Sequence, residues 1–295
     1  MARMRGRSWL FITVWLIILG VGALGVSGKS HDAIRLGLIP TEDARAAVKD
    51  SESMVVELER LTGMKLKVFV ATDYTGVTEA LKFKKIDVAF LGPFGYILAR
   101  DVANAGVEVF VSPVKAETGE AGYRSICIAR ADAGIAKLED FKGKTFSFTD
   151  PASTSGNLVP RYMFKKVGIE PERDFRSVMY SGGHDASALA VANRKLDGSC
   201  FSDEAWSTLL RKGVIKQEEL RPIAKSDLIP GNPMVWREDL SPEVKDKVRK
   251  AFLSLKNVQM STLGKISQFI PYTDKEFDSL REMVREMKID LKKQK

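Results

Sequence analysis

Thr145-Phe146-Ser147-Phe148-Thr149-Asp150-Pro151-Ala152-Ser153-Thr154-Ser155-Gly156-Asn157, running into residues 158–167, passes from an apolar strand-like run through a hydroxyl-rich turn into a helical stretch. The same succession repeats on both sides. Strand candidates lie at 34–39, 66–71, 88–91, 107–111, 126–129, 145–148, 175–180 and 199–201, with helical stretches such as 43–62, 76–83 and 158–167 between them. Alternation sustained from Ile34 to Phe201 predicts an α/β protein with a mainly parallel sheet.

At 295 residues and 44% hydrophobic composition, the chain can bury a large core. No repeat or Gly/Ser linker interrupts it, so any division into lobes is subtle. Residues 115–122 contain Glu117-Thr118-Gly119-Glu120 and read as a turn. A strand at 125–130 then carries the chain into a second lobe. The return is expected at Ile229-Pro230-Gly231-Asn232-Pro233, followed by an extended piece at 234–236. From Ser241 onward the pattern reads as helical. Ser241-Pro242-Glu243 is a helix start with Pro at its first position, and Phe277, Leu280, Val284, Met287 and Leu291 form a stripe. The expected plan is a first lobe over 29–124 and an inserted second lobe over 125–230. Residues 231–295 return to the first lobe and end in helices.

The amino terminus has Arg3, Arg5 and Arg7 without an acid, then an apolar run over 10–26 and the small residues Ser27 and Gly28. That is the layout of a secretory signal over 1–28, cut after Gly25 or Gly28. A retained membrane anchor is the alternative, because the run is somewhat long for a cleaved signal, although somewhat short for a span of roughly 20 apolar residues. No Cys follows the run, which argues against a lipoprotein. Removing the segment removes three of the charges behind the formal +8 and leaves +5. Lys and Arg are interleaved with acids, so a nucleic-acid partner is not expected. Cys127 and Cys200 are too few for a disulfide framework or a four-Cys zinc site. Each sits in an apolar stretch, so two buried free thiols are expected, although an exported location would permit one bridge.

Enzyme signatures do not emerge. There are two histidines, His31 and His184, and neither a Gly-x-Ser-x-Gly elbow nor a Gly-x-Gly-x-x-Gly turn. Gly143-Lys144-Thr145 fails as a phosphate loop, because Leu138 stands where the first glycine is needed and a strand follows. Polar turns placed directly before helices stand out instead. In the opening stretch, Ser153, Thr154 and Ser155 offer more hydroxyls than capping requires. Free N–H groups and the dipole at a helix start favour an anion there. Gly182-Gly183-His184-Asp185 is a second such turn, whose glycines allow close backbone approach. Gly92-Pro93-Phe94-Gly95-Tyr96 and Tyr74-Thr75-Gly76 bring Tyr96 and Tyr74 to the carboxyl edge of a parallel sheet, where α/β folds bind ligands.

These residues resemble the phosphonate-binding periplasmic receptors of ABC transporters, which have the two-lobed type II periplasmic binding protein fold. The markers are Ala71-Thr72-Asp73-Tyr74, Lys85-Ile86-Asp87-Val88-Ala89, Asp150-Pro151 to Gly156 with Leu158-Val159-Pro160, and Gly183-His184 with Ala188-Leu189-Ala190-Val191-Ala192-Asn193. Ile229-Pro230 with Pro233, Val235 and Trp236 completes the set. The resemblance implies that Tyr74, Ser153, Thr154, Ser155 and His184 hold the oxygens of a small phosphorus oxyanion. It also implies that Glu204 faces the ligand's substituent. Aminophosphonate receptors carry a second acid where this chain has Asn232, which argues against an ammonium there. The implied function is capture of a phosphonate, phosphite or phosphate and delivery to a membrane permease, by a monomer without cofactor or metal. The other reading is a membrane-anchored sensory module of the same fold that binds an oxyanion for signalling.

Overall fold

A computed structural model of the chain describes residues 33–260 and 263–291. The signal or anchor expected at 1–28 lies outside them. Among the described residues no helix is long and apolar enough to cross a membrane.

Strands β1 (Ala33–Leu38), β2 (Lys65–Val70), β3 (Val88–Phe90) and β4 (Val107–Lys115) open a first sheet. The chain then builds a second sheet from β5 (Ser125–Arg130), β6 (Thr145–Phe148), β7 (Ser177–Tyr180), β8 (Gly198–Ser202) and β9 (Leu220–Lys225). It returns through β10 (Met234–Arg237), β11 (Lys256–Met260) and β12 (Gly264–Pro271). Strand order is β11-β12-β4-β10-β3-β1-β2 in the first sheet and β7-β6-β8-β5-β9 in the second.

Both sheets are mixed, which corrects the mainly parallel expectation. β1 runs parallel to β2 and β3, and β6 to β7 and β8, whereas β10, β12, β5 and β9 pair antiparallel. The antiparallel members are strands that cross between the sheets or close the chain, so they enter from the opposite end. The stretch after Ser241 is not helical throughout, because β11 and β12 form an antiparallel pair on the edge of the first sheet.

Helices α1 (Ala44–Thr62), α2 (Tyr74–Lys82), α3 (Pro93–Ile97), α4 (Val159–Lys166), α5 (Pro171–Asp174), α6 (His184–Ala192) and α7 (Asp203–Arg211) connect the strands. α8 (Pro242–Ser254) and α9 (Asp278–Met287) follow. The α9 stripe packs as its spacing predicts, with Phe277, Leu280 and Val284 buried against the first sheet. There Phe110 stacks on Trp236 at 4.1 Å. Buried Asp87 accepts from Arg35 at 2.6 Å and Arg237 at 3.2 Å, tying the starts of β1 and β3 to the end of β10. The second lobe has its own aromatic core around Phe141, Phe146, Phe148, Phe164 and Phe175.

Cys127 and Cys200 are disulfide-bonded, which overturns the expectation of two free thiols. The cause is register: β5 and β8 run antiparallel with Cys127 directly opposite Cys200. The two passages between sheets are themselves paired, Tyr123 N–H donating to Ile229 O at 3.1 Å and Ile229 N–H to Tyr123 O at 2.7 Å.

Candidate functional site

Parallel strands deliver their carboxyl ends, and the helices that follow, to the gap between the two sheets. Five of those helix starts meet at one cavity. Tyr74 begins α2, Gly92 caps α3 and Ser153 caps the wide turn Thr154–Leu158 that runs into α4. His184 begins α6 behind Gly183, and Ser202 caps α7. The cavity is about 20 Å³, which suits a compact occupant. Its wall includes Tyr74, Tyr123, Ser153, Thr154, Ser155, His184, Glu204 and Asn232, and no Lys or Arg among the described residues.

Local chemistry explains how these groups are held. Ser153 Oγ accepts the Gly156 N–H at 3.0 Å, so its own proton is left to donate. A side chain at Gly156 would overlap Thr149, which is why the turn closes only with glycine there. Thr154 Oγ1 accepts the Phe94 N–H of the other lobe at 2.8 Å, again keeping its proton available. Gly182 sits at φ 88°, a left-handed conformation that glycine adopts without strain, and it sets up the α6 start. The His184 N–H donates across the gap to Thr41 O at 2.9 Å. Asp150 also bridges the gap, accepting from Ala152 N–H at 2.7 Å and Tyr74 N–H at 3.4 Å.

Electrostatically the site is a set of neutral donors. Burial pushes His184 down to about 4, so its imidazole is uncharged near neutrality. Its ring faces Tyr74 Oη from Nε2 at 3.5 Å and Thr149 Oγ1 from Nδ1 at 3.4 Å. Burial, reinforced by the Asp150 charge, raises Tyr74 well above the usual phenol range; burial and the Glu204 charge do the same for Tyr123. Both phenols therefore keep their protons. Glu204 is pushed up to about 8 by burial, against the pull of Lys115 at 3.9 Å. Asn232 Nδ2 donates to Glu204 Oε2 at 3.3 Å, and Ser112 Oγ holds Asn232 by its backbone oxygen at 3.0 Å.

These shifts set a pH signature. The raised Glu204 contributes stability that is complete below about 4.5 and is lost as pH rises towards 8. The depressed His184 contributes stability that is complete above 6.5 and is lost as pH falls towards 4. The two oppose each other from 4.5 to 6.5, and between 6.5 and 8 only Glu204 acts. The Tm of the ligand-free protein is expected to fall across that upper window in thermal melts. Glu204→Gln is expected to flatten the slope, and an unchanged slope in that variant would show that another group is responsible.

Seven of the eight residues singled out in the sequence line this cavity; Tyr96 does not. One turn into its helix, its ring points back into the first lobe, where Tyr96 Oη donates to Asp274 at 2.9 Å and the ring packs on Phe277. Tyr123 was not singled out. It lies on a passage between sheets rather than at a helix start, and only its place beside the turn over 115–122 could have marked it.

The profile of the family described as the ABC-transporter phosphonate periplasmic substrate-binding protein matches residues 36–277. The chain is 34% identical over 271 residues to a phosphate-import protein of Mycolicibacterium smegmatis, covering 85% of this chain and 84% of that one. It is 37% identical over 231 residues to the phosphonates-binding periplasmic protein of Escherichia coli, covering 77% and 67%. The crystal structure of a binding component of an ABC phosphonate transporter from Pseudomonas aeruginosa superposes with a TM-score of 0.79 at 35% identity, over 86% of this chain and 85% of that one. With two α/β lobes around such a cavity, the chain belongs to the phosphonate family of periplasmic substrate-binding proteins of ABC transporters.

Proposed function

We propose that this protein captures a small phosphorus oxyanion, a phosphonate, phosphite or phosphate, between its lobes and hands it, as a monomer and without chemical change, to the permease of an ABC importer. The observation that carries this reading is the convergence of Tyr74, Ser153, Thr154, Ser155 and His184 from helix starts, with Tyr123 beside them, on one cavity whose wall holds no Lys or Arg among the described residues. Helix-start N–H groups and hydroxyl donors suit ionised oxygens, and their hydrogen bonds strengthen when the acceptor is charged. The names of the Mycolicibacterium and Escherichia relatives point to the same ligand class. Lobes that part about the paired passages at Tyr123 and Ile229 would admit the anion, and closure would bury it. Export by the segment at 1–28 would place the protein in the periplasm, where the family works.

Calorimetric titration with methylphosphonate, phosphite, phosphate and 2-aminoethylphosphonate tests the proposal. Heat is expected with at least one of the first three, and 2-aminoethylphosphonate is expected to bind more weakly than methylphosphonate. Asn232 supplies no charge for its ammonium, and burial disfavours the charged form of Glu204. Absence of heat with all four would overturn the reading.

A further inference from the structure

A second compartment, about 830 Å³, lies against the oxyanion cavity and shares Glu204 and Leu263 with it. Its chemistry differs from that of the cavity. Five cationic side chains, against three carboxyls, line it, and the ring of Trp206 with Ile126 supplies an apolar wall. At the junction of the two spaces stands Lys115. Its side chain is only 10% exposed, yet its sole ionic partner is Glu204 at 3.9 Å, and its ammonium makes no hydrogen bond among the described residues. The Lys115 ammonium lines this open space with one loose ionic partner, so an anion that enters can pair with it at closer range. Lys265 adds a second cation on the rim, exposed and without an ion pair among the described residues.

We infer that this compartment is a subsite for the anionic tail of a longer phosphonate, an ω-carboxyalkylphosphonate whose carboxylate pairs with Lys115 once its phosphonate group sits among the hydroxyls. The inference rests on the oxyanion reading above and extends it to the substituent. Glu204 lines both spaces and accepts a single 3.3 Å hydrogen bond from Asn232, so a chain of two or three atoms can pass beside it at modest cost. The same Lys115 repels an ammonium tail, which makes the preference the reverse of that in a site built from two acids.

The test compares three ligands on the protein by calorimetry: methylphosphonate, 2-carboxyethylphosphonate and the amide of the latter, which has the same shape without the charge. The carboxylate is expected to bind about tenfold or more tightly than the amide, the scale of one charge-assisted hydrogen bond. Lys115→Met is expected to abolish that preference and to leave methylphosphonate affinity within about twofold, because Lys115 does not line the oxyanion cavity. Equal binding of acid and amide, or a preference that survives Lys115→Met, would overturn the subsite. Should Lys115→Met fail to fold, Lys115→Gln takes its place, and the acid–amide comparison on the unsubstituted protein decides by itself. Absence of binding with methylphosphonate, phosphite and phosphate alike would instead strike the oxyanion reading, so the two failures are told apart.

Discussion

Ser153→Ala combined with Thr154→Ala is expected to weaken oxyanion binding by about 2 kcal/mol or more, roughly thirtyfold in Kd. Each hydroxyl already accepts a backbone N–H, from Gly156 and from Phe94, and each therefore has one proton to give. Removing both takes two donors from an ionised guest in a cavity whose wall, among the described residues, has no Lys or Arg to compensate. Thr154→Ala has a second effect, since the Phe94 N–H belongs to the other lobe and loses its acceptor in the closed form. Part of the loss should accordingly appear as faster release, because the closed state itself is weakened. Ser153 caps the wide turn, so the double variant is also expected to lose about 1 kcal/mol of stability while remaining folded. Calorimetry on a variant with an intact melting transition checks the claim. Unchanged affinity there would remove the hydroxyl turn from the binding site.

Why was that turn readable from sequence while other parts were not? A helix start is a local event: Asp150, the three hydroxyls and Gly156 lie within seven residues, and their geometry follows from capping and the macrodipole. The strands before them were equally local, as short apolar runs between helices. β11 and β12 were hidden for a physical reason. Val258 and Met260 alternate correctly, but the register between β12 and β4 shifts between Ile266 and Gln268. The buried residues become Ile266 and Phe269, spaced by three, which imitates a helix. Tyr96 failed differently. The Gly92-Pro93 turn does reach the cavity, but through backbone: Gly92 lines it and the Phe94 N–H holds the wall residue Thr154, while the Tyr96 ring faces the first lobe. Pairings between distant segments, such as Tyr123 with Ile229 or Cys127 with Cys200, have no local signature at all.

The disulfide is the most consequential of those long-range features, and replacing Cys127 and Cys200 together with Ala is expected to destabilise the protein by about 4 kcal/mol on the loop-entropy account. The bridge spans a sequence separation of 73, and the loop it closes contains β6, the hydroxyl turn, α4, α5, β7 and His184. Opening it returns that whole segment's freedom to the unfolded chain, while the folded second lobe retains its aromatic core. The predicted signature is therefore lower stability with retained binding. Urea midpoints should drop in the double variant and, under reducing conditions, in the parent protein, and added oxyanion should recover part of the loss by binding only the folded state. Strands β5 and β8 remain paired through their backbone ladder without the sulfurs, so Tyr123, Ser202 and Glu204 keep their places at the strand ends. A double variant as stable as the parent would show that the bridge adds nothing to folding, and a folded variant blind to the anion would show that the bridge positions the site as well.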